Sequence, residues 1–344
     1  MSVASDTVMR PLRTGTHASG GSRSIVAEGL RKEFPGGITA VAGVDLDIHE
    51  GEIFGFLGPN GAGKTTTIRM LTTLLRPTAG RVTIAGFDIY QQAHDIRRSI
   101  GVALQEAGLD AMATGRELLT LQAQLFGMGP THAARRATEL LELLGLTDAA
   151  GRQIRTYSGG MKRRLDLASA LVHGPRLLFL DEPTEGLDPA SRQAVWSEIR
   201  RLNGELGLTV FLTTHYLEEA DNLADRLAII DQGRVVAEGT PGALKTSIGG
   251  DVVSVGLNRE HLAAAVSVLA SLTGLKELRS EDEGLTLVVS HGNGVVADVV
   301  RLLDSAGITV GAVAVDAPTL DEVFLRATGS RLEGAVRDEY GGES

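Results

Sequence analysis

Gly58-Pro59-Asn60-Gly61-Ala62-Gly63-Lys64-Thr65 obeys the pattern G-x-x-x-x-G-K-[ST], and no other stretch restricts the fold of this chain so tightly. Its glycines let the backbone curl so that successive N–H groups face one anion. That arrangement needs a buried strand to deliver the loop and a helix to leave it. Both flanks are present. Ile53-Phe54-Gly55-Phe56-Leu57 is the short apolar run of a buried strand, and residues 65–75 read as a helix stopped at Arg76-Pro77. A glycine-rich turn before a helix explains the glycines but not the whole pattern with these neighbours.

The rest of the chain extends this unit into an α/β fold. Residues 177–180 and 209–212 are further apolar strands, each followed by a helical stretch, which indicates a parallel sheet. Residues 24–27 and 44–48 alternate as edge-type strands, with Gly51 closing a turn, and belong to an antiparallel β subdomain. From about 110 to 160 the pattern turns helical: Ala133, Ala137, Leu140, Leu141 and Leu144 follow helical spacing, and Gly145 ends the run. We therefore expect a nucleotide-binding domain over 24–243, with a helical subdomain inserted in its sheet core. Beyond Pro241 the pattern restarts. Segments 251–257, 260–272, 275–280, 286–290, 294–306 and 309–315 spell β-α-β-β-α-β, the ferredoxin-like order of a small α+β domain over 244–328. Residues 1–23 are expected to be a flexible tail, and residues 329–344 a second tail.

Within this frame Lys64 places a point charge on the β- and γ-phosphates, the Thr65 hydroxyl can hold Mg²⁺, and Thr66 completes the cradle at the helix start. Asp181 ends an apolar strand, where it can coordinate Mg²⁺ through water. Glu182 follows it, its side chain directed the other way, and can polarise a water in line with the γ-phosphate. His215, just past another strand end after Thr213-Thr214, can contact the γ-phosphate and hold that water. Gln105, after Val102-Ala103-Leu104, is expected at a third strand end facing the same metal, although an isolated Gln is a surface residue by default. Phe34 can offer its face to adenine; ordinary packing is the competing role.

Ser158-Gly159-Gly160 opens an amphipathic helix with Met161, Leu165, Ala168 and Val172 on its inner face, ending at Gly174-Pro175. A hydroxyl and bare amides at a helix N-terminus make a second anion site. One γ-phosphate needs one cradle and one lid, so two such sites in one chain call for explanation. Lys162-Arg163-Arg164 read as a solvated face.

Composition narrows the partners. With Cys 0 there is no disulfide framework, thiolate metal site or catalytic thiol. Net charge is −10, and residues 240–344 hold 8 Lys+Arg against 15 Asp+Glu, so −7 of it lies there. Nucleic-acid binders need the opposite sign. The longest uncharged apolar stretch, 262–275, falls short of the roughly 18 residues that span a bilayer. The N-terminal residues have no apolar h-region and do not read as a signal peptide. Membrane work is expected from other chains.

These motifs in this order resemble the ATP-binding cassette ATPases over residues 24 to about 243. The match comprises the phosphate loop, Gln105, the Ser158-Gly159-Gly160 signature, Asp181-Glu182, Gly186-Leu187-Asp188 as the D-loop, and His215. The resemblance implies that two cassettes pair head to tail when ATP is bound, the signature of one closing over the ATP and Mg²⁺ held by the other. It implies separately encoded integral membrane permease subunits, driven through the region around Gln105, and a peripheral place on the cytoplasmic side of the cell membrane.

Ala317-Pro318-Thr319-Leu320-Asp321-Glu322-Val323-Phe324-Leu325 resembles the extension of the daunorubicin/doxorubicin-resistance exporter branch, which implies efflux of a hydrophobic drug-like cargo. Leu320, Val323 and Phe324 would equally make a packing face. The common signature reads Leu-Ser-Gly-Gly-Gln; here Tyr157 and Met161 stand at its ends, and Met161 has no side-chain amide to donate. The alternative is a soluble cassette ATPase acting on nucleic acid or ribosomes. A single cassette, the short spacing from loop to signature and the acidic last third weigh against it. A non-catalytic regulatory cassette is expected to lack Glu182 or His215.

Overall fold

The computed structural model describes residues 12–13, 22–104, 108–248, 251–281, 284–289, 292–316 and 318–329. They fall into two compact units, dividing between Glu238 and Gly239 rather than between 243 and 244.

In the first unit β1 (Leu12–Arg13) precedes two long strands, β2 (Arg23–Phe34) and β3 (Ile38–His49), then β4 (Ile53–Leu57) and helix α1 (Lys64–Leu71). β5 (Ala79–Ile84) and β6 (Phe87–Asp88) follow, and α2 (Ala93–Ser99) leads into β7 (Ile100–Ala103). Three helices come next, α3 (Gly115–Leu125), α4 (Pro130–Leu143) and α5 (Gly159–Ala170). Strand and helix then alternate through β8 (Leu177–Asp181), α6 (Pro189–Leu206), β9 (Thr209–Thr214), α7 (Leu217–Leu223), β10 (Arg226–Asp231) and β11 (Arg234–Gly239).

The central sheet has the order β1-β11-β10-β4-β9-β8-β7. Every residue of β4, β8 and β9 is buried. A parallel strand covered on both faces has no reason to alternate, hence the unbroken apolar runs. Phe211 of β9 fixes the lateral fit: Phe54 on one neighbour and Phe179 on the other stand opposite it, with ring centroids 6.0 and 5.6 Å away. That register aligns Leu57 with Thr214 and Asp181 with Thr213, so the loop after β4, the carboxylates at the end of β8 and the histidine after β9 emerge side by side. The carboxyl edge of a parallel sheet is where such folds bind ligands.

The second sheet of this unit, β3-β2-β5-β6, is antiparallel. Its long strands extend well past the expected 24–27 and 44–48, carried through repeated register shifts. Phe34 is the last residue of β2. Helix α1 stops at Leu71, earlier than expected: Thr72 turns its hydroxyl back to the Ile68 carbonyl and Thr73 adopts φ 62. Within the stretch expected to be an N-terminal tail, β1 pairs in parallel with β11.

The helical insertion is self-explanatory. Thr114 and Glu117 form a capping box at α3, and Pro130 starts α4. Ala133, Ala137, Leu140 and Leu141 of α4 share a buried core with Leu118 and Leu119 of α3 and Leu165 of α5.

The second unit contains α8 (Pro241–Ile248), β12 (Asp251–Gly256), α9 (Leu262–Leu269), β13 (Leu275–Glu281), β14 (Gly284–Val289), α10 (Gly292–Ser305), β15 (Ala312–Asp316) and α11 (Leu320–Thr328). Its sheet order, β13-β14-β12-β15, has antiparallel neighbours throughout, the split β-α-β order of ferredoxin-like domains. Val253, Val255, Leu285 and Leu287 meet Leu269, Val299 and Leu303 in its core. The Leu-Asp-Glu-Val-Phe-Leu motif is α11, capped by Thr319 with Glu322, and Leu320, Val323 and Phe324 are its buried face. No helix among the described residues is long and apolar enough to cross a membrane.

Candidate active site

The phosphate loop encloses a cavity of about 170 Å³ lined by Ala40, Asn60, Gly61, Lys64, Thr65, Thr66 and Glu182, among others. Two glycines are obligatory there. A Cβ on Gly58 would stand 2.4 Å from the Ile230 carbonyl oxygen, and one on Gly63, whose φ is +109°, 2.6 Å from the Ala40 carbonyl oxygen. Both obstacles are backbone, which cannot move aside as a side chain can. Ala62 is buried behind the loop, while Pro59 and Asn60 lie at its mouth.

Lys64 is 4% exposed. Its three N–H donors are all taken: the Gly58 carbonyl accepts at 2.8 Å, the Pro59 carbonyl at 3.1 Å, and Glu182 Oε1 lies 3.1 Å away. The ammonium is thus folded into its own loop.

Glu182 reaches Lys64 because the backbone turns at that residue. Its φ is 48°, a left-handed conformation, and its N–H donates to the carbonyl of Thr213, which pins the turn to β9. The expected reversal of side-chain direction after Asp181 comes from this turn rather than from strand alternation. Glu182 Oε2 lies 3.1 Å from His215 Nδ1, so one carboxylate faces both the Lys64 ammonium and the His215 ring. Burial pushes the Glu182 carboxyl up, but the contact with His215 and the Lys64 charge outweigh it and hold the pKa at about 2. The His215 ring packs on Tyr216, centroids 4.0 Å apart. Asp181 is buried, and its Oδ1 accepts a 2.6 Å hydrogen bond from the Thr213 hydroxyl. Thr213 therefore aims both carboxylates, a role its place in Thr213-Thr214-His215 does not reveal.

Behind the site Glu219 is fully buried and accepts from the Thr184 hydroxyl at 2.8 Å and from the Trp196 indole N–H at 3.0 Å. Burial raises its pKa, with those hydrogen bonds opposing. It anchors the loop beyond Glu182 to α6 and α7, and nothing in its sequence neighbourhood marks it out.

Phe34 is 37% exposed, with the Lys32 ammonium 5.3 Å from its ring. It pairs with Ile38, and two residues further along β3 is the Ala40 carbonyl that abuts Gly63. The hairpin end is thereby set beside the phosphate loop. Gln105 lies outside the described residues.

The signature occupies a different surface. Ser158 is exposed and caps α5, its hydroxyl accepting from the Met161 N–H at 3.2 Å. Gly159 and Gly160 face Leu187 and Ser191 across short gaps. Asp188 caps α6 through Ser191, at 3.0 Å to its N–H and 2.6 Å to its hydroxyl, and these bonds lower its pKa. Signature and D-loop thus form one exposed patch, and none of it lines the phosphate cavity. Tyr157, at the start of the signature, is buried with its hydroxyl donating to the Ala149 carbonyl. One reading of the basic run fails. Lys162 is exposed, but Arg163 is buried with an Asp166 partner, because the inner face of α5 passes through it.

No cluster of three or more His, Cys, Asp and Glu able to hold a metal ion occurs among the described residues. The donors near the loop are hard oxygens, the Asp181 carboxylate and the Thr65 hydroxyl. They suit a small divalent cation whose remaining ligands are phosphate oxygens and water, not a metal held by protein alone.

Comparison with known proteins identifies the family. The ABC transporter family pattern matches residues 41–185, and the pattern "ATP-binding protein DrrA1-3-like, C-terminal domain" matches residues 239–328. The chain is 47% identical over 306 residues to the daunorubicin resistance ATP-binding protein DrrA3 of Streptomyces coeruleorubidus, covering 89% of this chain and 96% of that one. It is 38% identical over 312 residues to the linearmycin resistance ATP-binding protein LnrL of Bacillus subtilis, covering 89% and 98%. Among solved structures, the dimeric post-hydrolysis state of the ATP-binding cassette MJ0796 bound to ADP and Pi superposes with a TM-score of 0.57 at 28% identity, covering 63% of this chain and 98% of that one.

Proposed function

The chain belongs to the ATP-binding cassette family of ABC transporter ATPases, and from that premise we propose that it powers an exporter as a head-to-tail pair of chains seated on separate membrane-spanning subunits. The observation that carries this reading is the separation of the two anion sites. Lys64 and Glu182 meet in one cavity, while Ser158 to Gly160 and Asp188 lie on an exposed patch outside it. A signature exposed outside the lining of its own phosphate cavity is open to a second copy, and a two-fold pair makes two such composite sites.

In each site the phosphate-loop amides and Lys64 hold the triphosphate, Lys64 leaving Glu182 to do so. Thr65 and Asp181, with Gln105 as a further ligand, would hold Mg²⁺, which would supply charge neutralisation on the phosphates. Glu182, freed from Lys64, orients and polarises the attacking water, and His215 steadies it from the other side. The partner's Ser158 and helix α5 close over the γ-phosphate, and Asp188 lies at the same junction. Phe34 covers the adenine.

Resistance in the names of the relatives supports efflux of a drug-like cargo, with the chain peripheral on the cytoplasmic side of the membrane. The acidic second unit gives nucleic acid no purchase, which favours transport over the ribosome or nucleic-acid reading.

Mixing two inactive variants tests the shared site. Lys64→Ala and Ser158→Arg each disable both sites of a homodimer. In a mixed dimer one site keeps both wild-type parts, so an equimolar mixture regains about a quarter of the parental ATPase rate. No recovery on mixing, with subunit exchange verified, would sink the trans arrangement.

A further inference from the structure

Arg163 is 8% exposed, on the signature helix α5, five positions past Ser158. A buried guanidinium is costly unless its donors are used. Its Nη1 donates to the Leu104 carbonyl at 3.1 Å and to Asp166 Oδ2 at 2.9 Å, and its Nη2 reaches the Asp181 carbonyl at 3.5 Å. Three elements converge on one side chain. Leu104 is the last described residue of the segment leaving β7, and Asp181 is the metal-side carboxylate with Glu182 next to it. The helix itself does not require this cation, since Leu165, Leu167 and Ala168 already seat α5 in the apolar core.

We propose that Arg163 is a positioning residue, tying the signature helix to the backbone that carries Asp181 and Glu182 and to the segment leaving β7. The inference rests on the functional reading above and adds a link within one chain between the surface offered to a partner's nucleotide and the carboxylates acting on its own. A planar fork anchored on two backbone carbonyls transmits displacement of α5 to the strand end without passing through exposed side chains. Burial lowers the Arg163 pKa while the carboxylates of Asp166, Glu219 and Asp181 oppose it, which fits a cation held among the groups it orders. A lysine at this position keeps the charge but not the fork that spans two acceptors.

The test is a KM-against-kcat comparison for ATP hydrolysis by the full-length chain. Arg163→Lys is expected to lower kcat about tenfold and Arg163→Met about a hundredfold, with KM within about twofold, since no phosphate-loop contact changes. Asp166→Asn leaves both carbonyl contacts in place and should keep kcat within about twofold of the parent. Parental kcat in Arg163→Lys overturns the proposal, as does a loss in Asp166→Asn equal to that in Arg163→Lys. The lysine variant keeps the test decisive if the methionine variant does not fold. The parent and Glu182→Gln run alongside separate the two failures. Hydrolysis lost in Glu182→Gln leaves the functional reading standing, and a normal Arg163→Lys then removes this inference alone.

Discussion

Replacing Glu182 by Gln should weaken the nucleotide-free chain and tighten its grip on ATP at the same time. The carboxylate lies 3.1 Å from Lys64 Nζ and 3.1 Å from His215 Nδ1, with its side chain 7% exposed. Burial raises its pKa, but the contacts with His215 and Lys64 bring it from 4.5 to about 2. That displacement corresponds to about 3 kcal/mol favouring the charged form in the folded chain. Because the folded pKa is depressed, the contribution is complete above about pH 4.5 and is lost as pH falls toward 2. At neutral pH the Gln variant forfeits it, and with part of the hydrogen bonding retained it should lose about 1–3 kcal/mol of unfolding free energy in urea.

Binding runs the other way. On the proposed reading, a triphosphate settles beside this carboxylate in the parent and draws Lys64 from it. A like charge about 4 Å away costs on the order of 4 kcal/mol at an effective dielectric of 20. Removing even a third of that tightens ATP about tenfold. Hydrolysis should meanwhile fall by about a hundredfold or more with loss of the base. Equilibrium titration with ATP, urea denaturation without nucleotide and phosphate release give the three quantities on one preparation. A variant that binds ATP no tighter than the parent, or cleaves it at the parental rate, refutes the assignment of Glu182 as the carboxylate released from Lys64.

Gly58→Ala drives a Cβ against the Ile230 carbonyl at 2.4 Å and should cost about 1–3 kcal/mol or more by urea melting, with ATP binding lost; a normally stable, ATP-binding variant contradicts the cradle geometry. Asp166 is pushed from 3.8 to about 6 by burial, which the Arg163 charge and hydrogen bond do not cancel. Here the folded pKa is raised, so stability is full below about pH 4 and declines as pH rises through about 6, by up to about 3 kcal/mol. Asp166→Asn should flatten the urea midpoint between those pH values, and an unchanged slope would exclude Asp166 as its source.

Much of the site was legible without coordinates because its parts are local. The glycine loop, the apolar strand ahead of Asp181 and the serine-glycine helix start each carry their chemistry in a few adjacent residues. Periodicity likewise located the small second unit, whose strands pair in the order its β-α-β-β-α-β pattern requires. Arg163 defeated that approach, since a basic triplet looks solvated until the inner face of its helix is known. Thr213 and Glu219 were invisible for the same reason, as their partners lie on other strands and helices.

The amino-acid order alone determined which groups this chain can bring to a triphosphate: a curling glycine backbone, one lysine, adjacent acids and a histidine beyond a third strand. Only the tertiary structure decided how they meet. Sheet register brings three strand ends to one edge, and the left-handed turn at Glu182 points its carboxylate at Lys64. Helix packing leaves Ser158 exposed and outside the lining of the phosphate cavity. Backbone propensity and hydrophobic period act over a few residues, whereas register and burial depend on the whole core closing at once, so no local window contains them.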